Sequence, residues 1–177
     1  MALTELQERK FKVAFDSQDV DGTGVLTQAD FERLIENLTT INNKSNDLAK
    51  KLYTEIWNDL TSKADIDGNG GVTLDEWYSY IEELIKDSAR FDKYVLSTAV
   101  TVLKSLDATG NNRLGLDEYK KLAAALNVSE SDAEAAFNKL DTSGNGEVDI
   151  TELQAAVREF YLTEDENAPG NWLFGQF

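Results

Sequence analysis

The sequence predicts an all-α protein: four helix–loop–helix units in two pairs, compact, with short β-bridges between the paired loops. Three observations predict it. Asp/Asn/Gly clusters recur four times, beginning at Asp19, Asp65, Asp107 and Asp141, in steps of 46, 42 and 34 residues. Each cluster lies between apolar patterns of helical period. No Gly/Ser-rich or Pro-rich linker divides the chain, whose sole proline is Pro169.

The elements follow in order. After the first cluster, Phe31, Leu34, Ile35 and Leu38 fall at helical spacing and define an exiting helix. The 46-residue first step leaves room for a long second entering helix, about residues 47–64. Trp77, Tyr80, Ile81, Leu84 and Ile85 mark the second exiting helix. Val95, Ala99, Val102, Leu103 and Leu106 mark the third entering helix, the two meeting near residues 87–88. Tyr119, Leu122, Ala123 and Leu126 follow the third cluster. Ala133, Ala136, Phe137 and Leu140 lead into the fourth, with Ser131 and Glu134 as a capping box. Leu153, Ala156, Val157, Phe160 and Tyr161 close the pattern. The expected division is a first pair over 1–90 (loops 19–30 and 65–76) and a second over 91–177 (loops 107–118 and 141–152). The tail, 163–177, is expected to pack back on the body.

Composition narrows the chemistry. The 177 residues carry 33 Asp and Glu against 17 Lys and Arg, a formal charge of −16. Such a surface repels phosphate backbones and anionic membranes, so nucleic acid and membranes are poor partners. Cysteine and histidine are both absent. Disulfides, thiolate or imidazole metal sites and the usual general base are thereby excluded. The remaining donors are oxygens, the ligand set of Ca2+ and Mg2+. No Gly-rich phosphate loop and no Gly-x-Ser-x-Gly elbow occurs, so an enzyme is not expected. The start, MALTELQERK, has no apolar run of a secretory signal and has Ala2 where a myristoylated glycine would stand. No stretch of about 18 apolar residues is present, so no membrane insertion is expected. The expected compartment is the cytoplasm.

Each cluster fits a twelve-residue cation loop, with oxygen ligands at positions 1, 3, 5, 7, 9 and 12 and a sharp turn at 6. The first offers Asp19, Asp21, Thr23, the carbonyl of Val25, Thr27 and Asp30, with Gly24 at the turn. Asp30 is one methylene shorter than the usual bidentate Glu, which leaves the choice between Ca2+ and Mg2+ open. The second is the most complete: Asp65, Asp67, Asn69, the carbonyl of Gly71, Thr73 and Glu76, with Gly70 at the turn. The third is the thinnest: Asp107, Thr109, Asn111, the carbonyl of Arg113 and Glu118. There position 9 is Gly115, so water must serve, and Asn112 must make the turn in place of glycine. The fourth has Asp141, Ser143, Asn145, the carbonyl of Glu147, Asp149 and Glu152, with Gly146 at the turn. Carboxylates at ligand positions number 3, 3, 2 and 3, which ranks the second loop first and the third last.

With these loops, the sequence resembles the EF-hand proteins. The wide first spacing, Asp30 and the tail APGNWLFGQF are similar to the sarcoplasmic calcium-binding protein group, including its calexcitin-like and calerythrin-like members. DEWYSY, NNRLGLDEY and GNWLFG are most similar to the calexcitin-like members. The resemblance covers essentially the whole chain. It implies a compact helical protein that buffers Ca2+ and Mg2+, often with one loop that has lost its ion, with signalling proposed for some members. Photoproteins of related fold use histidines near their luciferin, and this chain has none.

The residues themselves favour a cytosolic Ca2+ and Mg2+ buffer. A calcium sensor exposes a Met-rich groove, whereas this chain has one methionine, Met1, and an aromatic, branched apolar set. Trp172, Leu173, Phe174 and Phe177 in the tail would cost about 1.5–3 kcal/mol each if left in water. They are therefore expected to fold back into the groove a target helix would use. A protein target is the less favoured alternative, and a monomer is expected. A second alternative is a carrier of an apolar, luciferin-type ligand, with Trp57, Trp77, Tyr80 and Trp172 lining its cavity.

Overall fold

The computed structural model describes residues 3–41 and 47–177; Met1 and Ala2 lie outside them. Helix α1 (Glu5–Gln18) opens on a reciprocal cap between Thr4 and Gln7. A short strand, β1 (Val25–Leu26), leads into α2 (Gln28–Thr40). The long α3 (Asp47–Ala64) precedes β2 (Val72–Thr73) and α4 (Leu74–Leu84). The chain then breaks, and the Asp87 carboxylate caps the Arg90 N–H at 3.1 Å. From there α5 (Ser88–Phe91), a π-helical turn (Asp92–Leu96) and α6 (Ser97–Leu106) run on continuously. Next come β3 (Arg113–Gly115), α7 (Leu116–Ala125), α8 (Glu130–Leu140), β4 (Glu147–Asp149) and α9 (Ile150–Leu162), then a 3-10 turn over Pro169–Trp172.

Helix α8 begins earlier than Ser131–Glu134 predicts. Ser129 is its cap: its Oγ accepts from the Asp132 N–H at 3.1 Å and donates to the Asp132 carboxylate at 2.7 Å. Asn127, at φ 56°, turns the chain just before it, which brings Ser129 rather than Ser131 to the helix end.

The strands pair antiparallel, Val25 with Thr73 and Leu26 with Val72, and Arg113 with Asp149, Leu114 with Val148 and Gly115 with Glu147. The side chains at position 8 of each loop, Leu26, Val72, Leu114 and Val148, are buried beneath these bridges. The halves share one core. The Phe11 ring of α1 lies 6.2 Å from Phe160 and 5.6 Å from Tyr161 of α9. On another face α2 packs on α7.

The tail joins that core. Phe174 packs edge-on against Phe160 at 5.0 Å. Gly170 donates its N–H to the Glu159 carboxylate at 2.7 Å, so close that an added Cβ would stand 2.3 Å from the Ala156 carbonyl. Lys10, fully buried, donates from Nζ to the Asn171 side chain at 3.0 Å and to the Thr163 and Glu159 carbonyls at 3.2 and 3.3 Å. Its ammonium thus caps the last turn of α9.

A cavity of about 160 Å³ remains between the halves. Of the four aromatics predicted to line it, Trp77 and Tyr80 do. Trp57 instead packs against Phe31 at 5.0 Å, and Trp172 lies under the Lys139 ammonium at 5.8 Å. Trp57 lies on the buried face of α3 but is packed against its neighbours there, and Trp172 ends the 3-10 turn of the tail, partly exposed.

Candidate metal centre

The four loops are built alike. In loop 1 the Asp19 carboxylate accepts the N–H groups of Thr23 (3.1 Å) and Gly24 (2.7 Å). Asp65 does the same with Asn69 and Gly70, both at 3.0 Å. In loop 4 Asp141 accepts from Asn145 (3.1 Å) and Gly146 (2.8 Å). In loop 3 Asp107 accepts from Gly110 (2.7 Å), Asn112 (2.6 Å) and the Thr109 hydroxyl (2.9 Å). The chain thus wraps around its position-1 carboxylate, which fixes the loop's curvature. Asn112 adopts φ 60° where Gly70 has φ 84°, so asparagine makes the turn as the sequence predicts.

Position 12 closes each ring. Glu76 accepts the Thr73 N–H at 2.9 Å and hydroxyl at 2.8 Å on one oxygen, and the Ile66 N–H at 3.2 Å on the other. Glu118 bridges the N–H groups of Gly115 (3.1 Å) and Ala108 (2.9 Å), and Glu152 those of Asp149 (3.1 Å) and Ser143 (2.9 Å). The fully buried Asp30 accepts the Thr27 N–H at 2.9 Å and hydroxyl at 2.7 Å, and the Asp21 N–H at 3.4 Å. The shorter side chain therefore spans the same gap.

The loops differ in how their acids converge. Among the described residues, carboxylate oxygens of Asp19, Asp21 and Asp30 lie within 4.8 Å of one another, as do those of Asp65, Asp67 and Glu76. In loop 4, Asp149 turns its carboxylate to cap the Glu152 N–H at 2.9 Å. Asn69 and Asn145 each turn their amide oxygen onto the N–H two residues on, at 2.8 and 2.9 Å. Ser143 donates to Asp141 at 3.3 Å. Asn111 accepts from the Arg113 N–H at 2.9 Å and donates to the Glu147 carboxylate at 3.0 Å. Arg113 pairs with the same carboxylate at 3.2 Å, so loops 3 and 4 are tied across their bridge.

Hydrogen bonds from the Thr73 N–H and hydroxyl keep Glu76 below the usual carboxylate range. Burial pushes Asp107 and Asp141 up, but the turn N–H groups outweigh it and both carboxyls end below that range. An oxygen-only set of donors on a curved backbone fits a hard divalent cation.

Two features escaped the sequence reading. Thr27 and Thr73 act as caps as well as position-9 donors. The signal was the Thr-x-x-Asp/Glu spacing at 27–30 and 73–76. Arg33, reaching Asp21 at 3.6 Å from α2, carried no signal, because the loop frame says nothing of helix-borne cations.

With this geometry in view, the comparisons are consistent. The family model of an EF-hand domain pair matches residues 8–82, and that of an EF hand matches 133–157. Calerythrin of Saccharopolyspora erythraea is 28% identical over 166 residues, 90% of this chain and 94% of the relative. Sarcoplasmic calcium-binding protein 1 of Astacus leptodactylus is 29% identical over 172 residues, 89% of this chain and 88% of the relative. Among solved structures, the calcium-loaded apo form of the coelenterazine-binding protein from Renilla muelleri shares the fold. Its TM-score is 0.69 at 20% identity, covering 99% of this chain and 100% of that one. The chain is an EF-hand protein. Within that class it is similar to calerythrin and the sarcoplasmic calcium-binding proteins along nearly its whole length. Among the described residues no helix is long and apolar enough to cross a membrane.

Proposed function

We propose that this chain is a cytosolic buffer that binds Ca2+ reversibly, with Mg2+ in some loops when Ca2+ is low, and that it is not an enzyme. The observation that carries the reading is the convergence of Asp65, Asp67 and Glu76 within 4.8 Å on a loop already curved for an ion. The ligands are those of the four loops, with 65–76 the strongest and 107–118 the weakest. The chain works as two EF-hand pairs, 1–90 and 91–177, in a monomer. The tail supports a buffer over a sensor, because Leu173 and Phe174 occupy apolar space between the pairs where a target helix would otherwise dock. Fluorescence of an apolar dye in ion-free, Mg2+ and Ca2+ forms tests this. A flat or falling signal on Ca2+ addition supports the buffer; a sharp rise would mean that a groove opens, as in a sensor. The cavity between the pairs favours a second reading, a carrier of an apolar small molecule.

A further inference from the structure

The central cavity combines an apolar wall with one hydroxyl group that the fold leaves unused. Two polar groups of its wall are already engaged. The Trp77 indole N–H donates to the Phe11 carbonyl at 3.2 Å, and the Tyr80 hydroxyl to the Asp59 carboxylate at 2.9 Å. Thr98 is different. It is nine-tenths buried, it lines the cavity, and among the described residues its Oγ1 has no hydrogen-bond partner. Leaving a buried hydroxyl unpaired costs about 1–3 kcal/mol, so an unexplained one points to a missing partner. Tyr53, Tyr119 and Tyr161 line the same space. Burial raises all three above the usual tyrosine value, Tyr53 to about 12, so they stay protonated donors.

The local backbone has a second peculiarity. The π-helical turn over Asp92–Leu96 inserts one residue into the helix just before Thr98 and turns Tyr94 and Val95 to the cavity wall. Such turns are rare and concentrate at functional sites. Size then limits the guest. At about 160 Å³ the space matches an engineered apolar cavity of about 150 Å³ that takes up benzene.

We infer that this cavity is a binding site for a neutral aromatic molecule of one or two fused rings bearing a hydroxyl or similar polar group, anchored by Thr98. The rings replace solvent against Trp77, Tyr80 and Ile81, and the polar group pairs with the Thr98 Oγ1. The volume favours such a guest over a luciferin-sized molecule of several linked rings. This inference rests on the carrier reading of the cavity and narrows it.

Calorimetry on the full, calcium-loaded chain tests it with three probes: 2-naphthol, naphthalene and coelenterazine. The expected result is that 2-naphthol binds about fivefold tighter than naphthalene and that coelenterazine does not bind. Thr98→Val, which keeps the side-chain shape, is expected to bring 2-naphthol down to the naphthalene level. Its calcium titration should be unchanged and its urea midpoint should not fall. If 2-naphthol binds the variant as tightly as the parent, Thr98 is not the anchor and the inference falls. If coelenterazine alone binds, the carrier reading stands and this narrowing of it falls. If no probe binds, both fall, and the hydroxyls serve only internal water.

Discussion

Single residues decide the ion chemistry and one pH response. Glu76→Gln removes a carboxylate charge from the best-formed loop while an amide oxygen can still accept from Thr73. Calcium affinity of that loop should drop by roughly 100-fold or more, with the ion-free melting temperature little changed; a calcium titration checks it. Lys10 predicts a linkage. Burial pulls its amine from 10.5 down to about 8, against the partial support of Glu159. Between about pH 8 and 10.5 the unfolded chain therefore holds a proton that the native chain has lost. Raising pH through that window stabilises the fold. Above about pH 10 the buried tyrosines reverse the trend, since Tyr53 keeps its proton to about 12 while an unfolded phenol does not. Urea midpoints from pH 7.5 to 10 should rise in the parent relative to Lys10→Met. Parallel profiles would contradict the assignment. At this scale the loop residues were legible, because ligand positions repeat at a fixed spacing. Lys10 was not: nothing local marks a lysine whose acceptors lie about 150 residues away in sequence.

Elements were read well where period or spacing carried them. The long α3 falls over the residues that the wide first step leaves free. The π-helical turn before α6 was invisible, because only Phe91 is buried ahead of it in α5, too little pattern for a change of phase to show. The 3-10 turn of the tail carries its own prediction. Gly170→Ala puts a Cβ 2.3 Å from the Ala156 carbonyl and 2.6 Å from the Glu159 Cβ. Relief requires the tail to lift, at about 1–3 kcal/mol. The variant should melt lower and bind an apolar dye that the parent does not. Removing residues 168–177 should produce the same dye binding more strongly, as Phe160 loses the Phe174 ring.

For the whole molecule, charge dominates. Four divalent ions would take the formal charge from −16 to −8, relieving repulsion among acids that the fold holds together. Each ion at a concentration one hundred times its dissociation constant adds about 2.7 kcal/mol. Calcium should therefore raise the melting temperature steeply. Added KCl should stabilise the ion-free form more than the loaded one, since screening replaces what the ions already neutralise. Equal salt effects on both forms would show that repulsion is not what limits the ion-free protein. Fold class followed from the repeat, but the cavity did not. Which inward aromatics leave a gap depends on how α2, α4, α6 and α9 come together, and no single helix encodes that.

The contacts of α1 have a consequence for synthesis. Lys10 is translated 153 and 161 residues before its partners Thr163 and Asn171, and Phe11 comparably far ahead of Phe160 and Tyr161. On the ribosome α1 must wait, its aromatic face unsatisfied, until α9 has emerged. The loops of the first pair can form meanwhile, but the native core closes only once α9 joins α1, so that long-range docking should be a late step of folding.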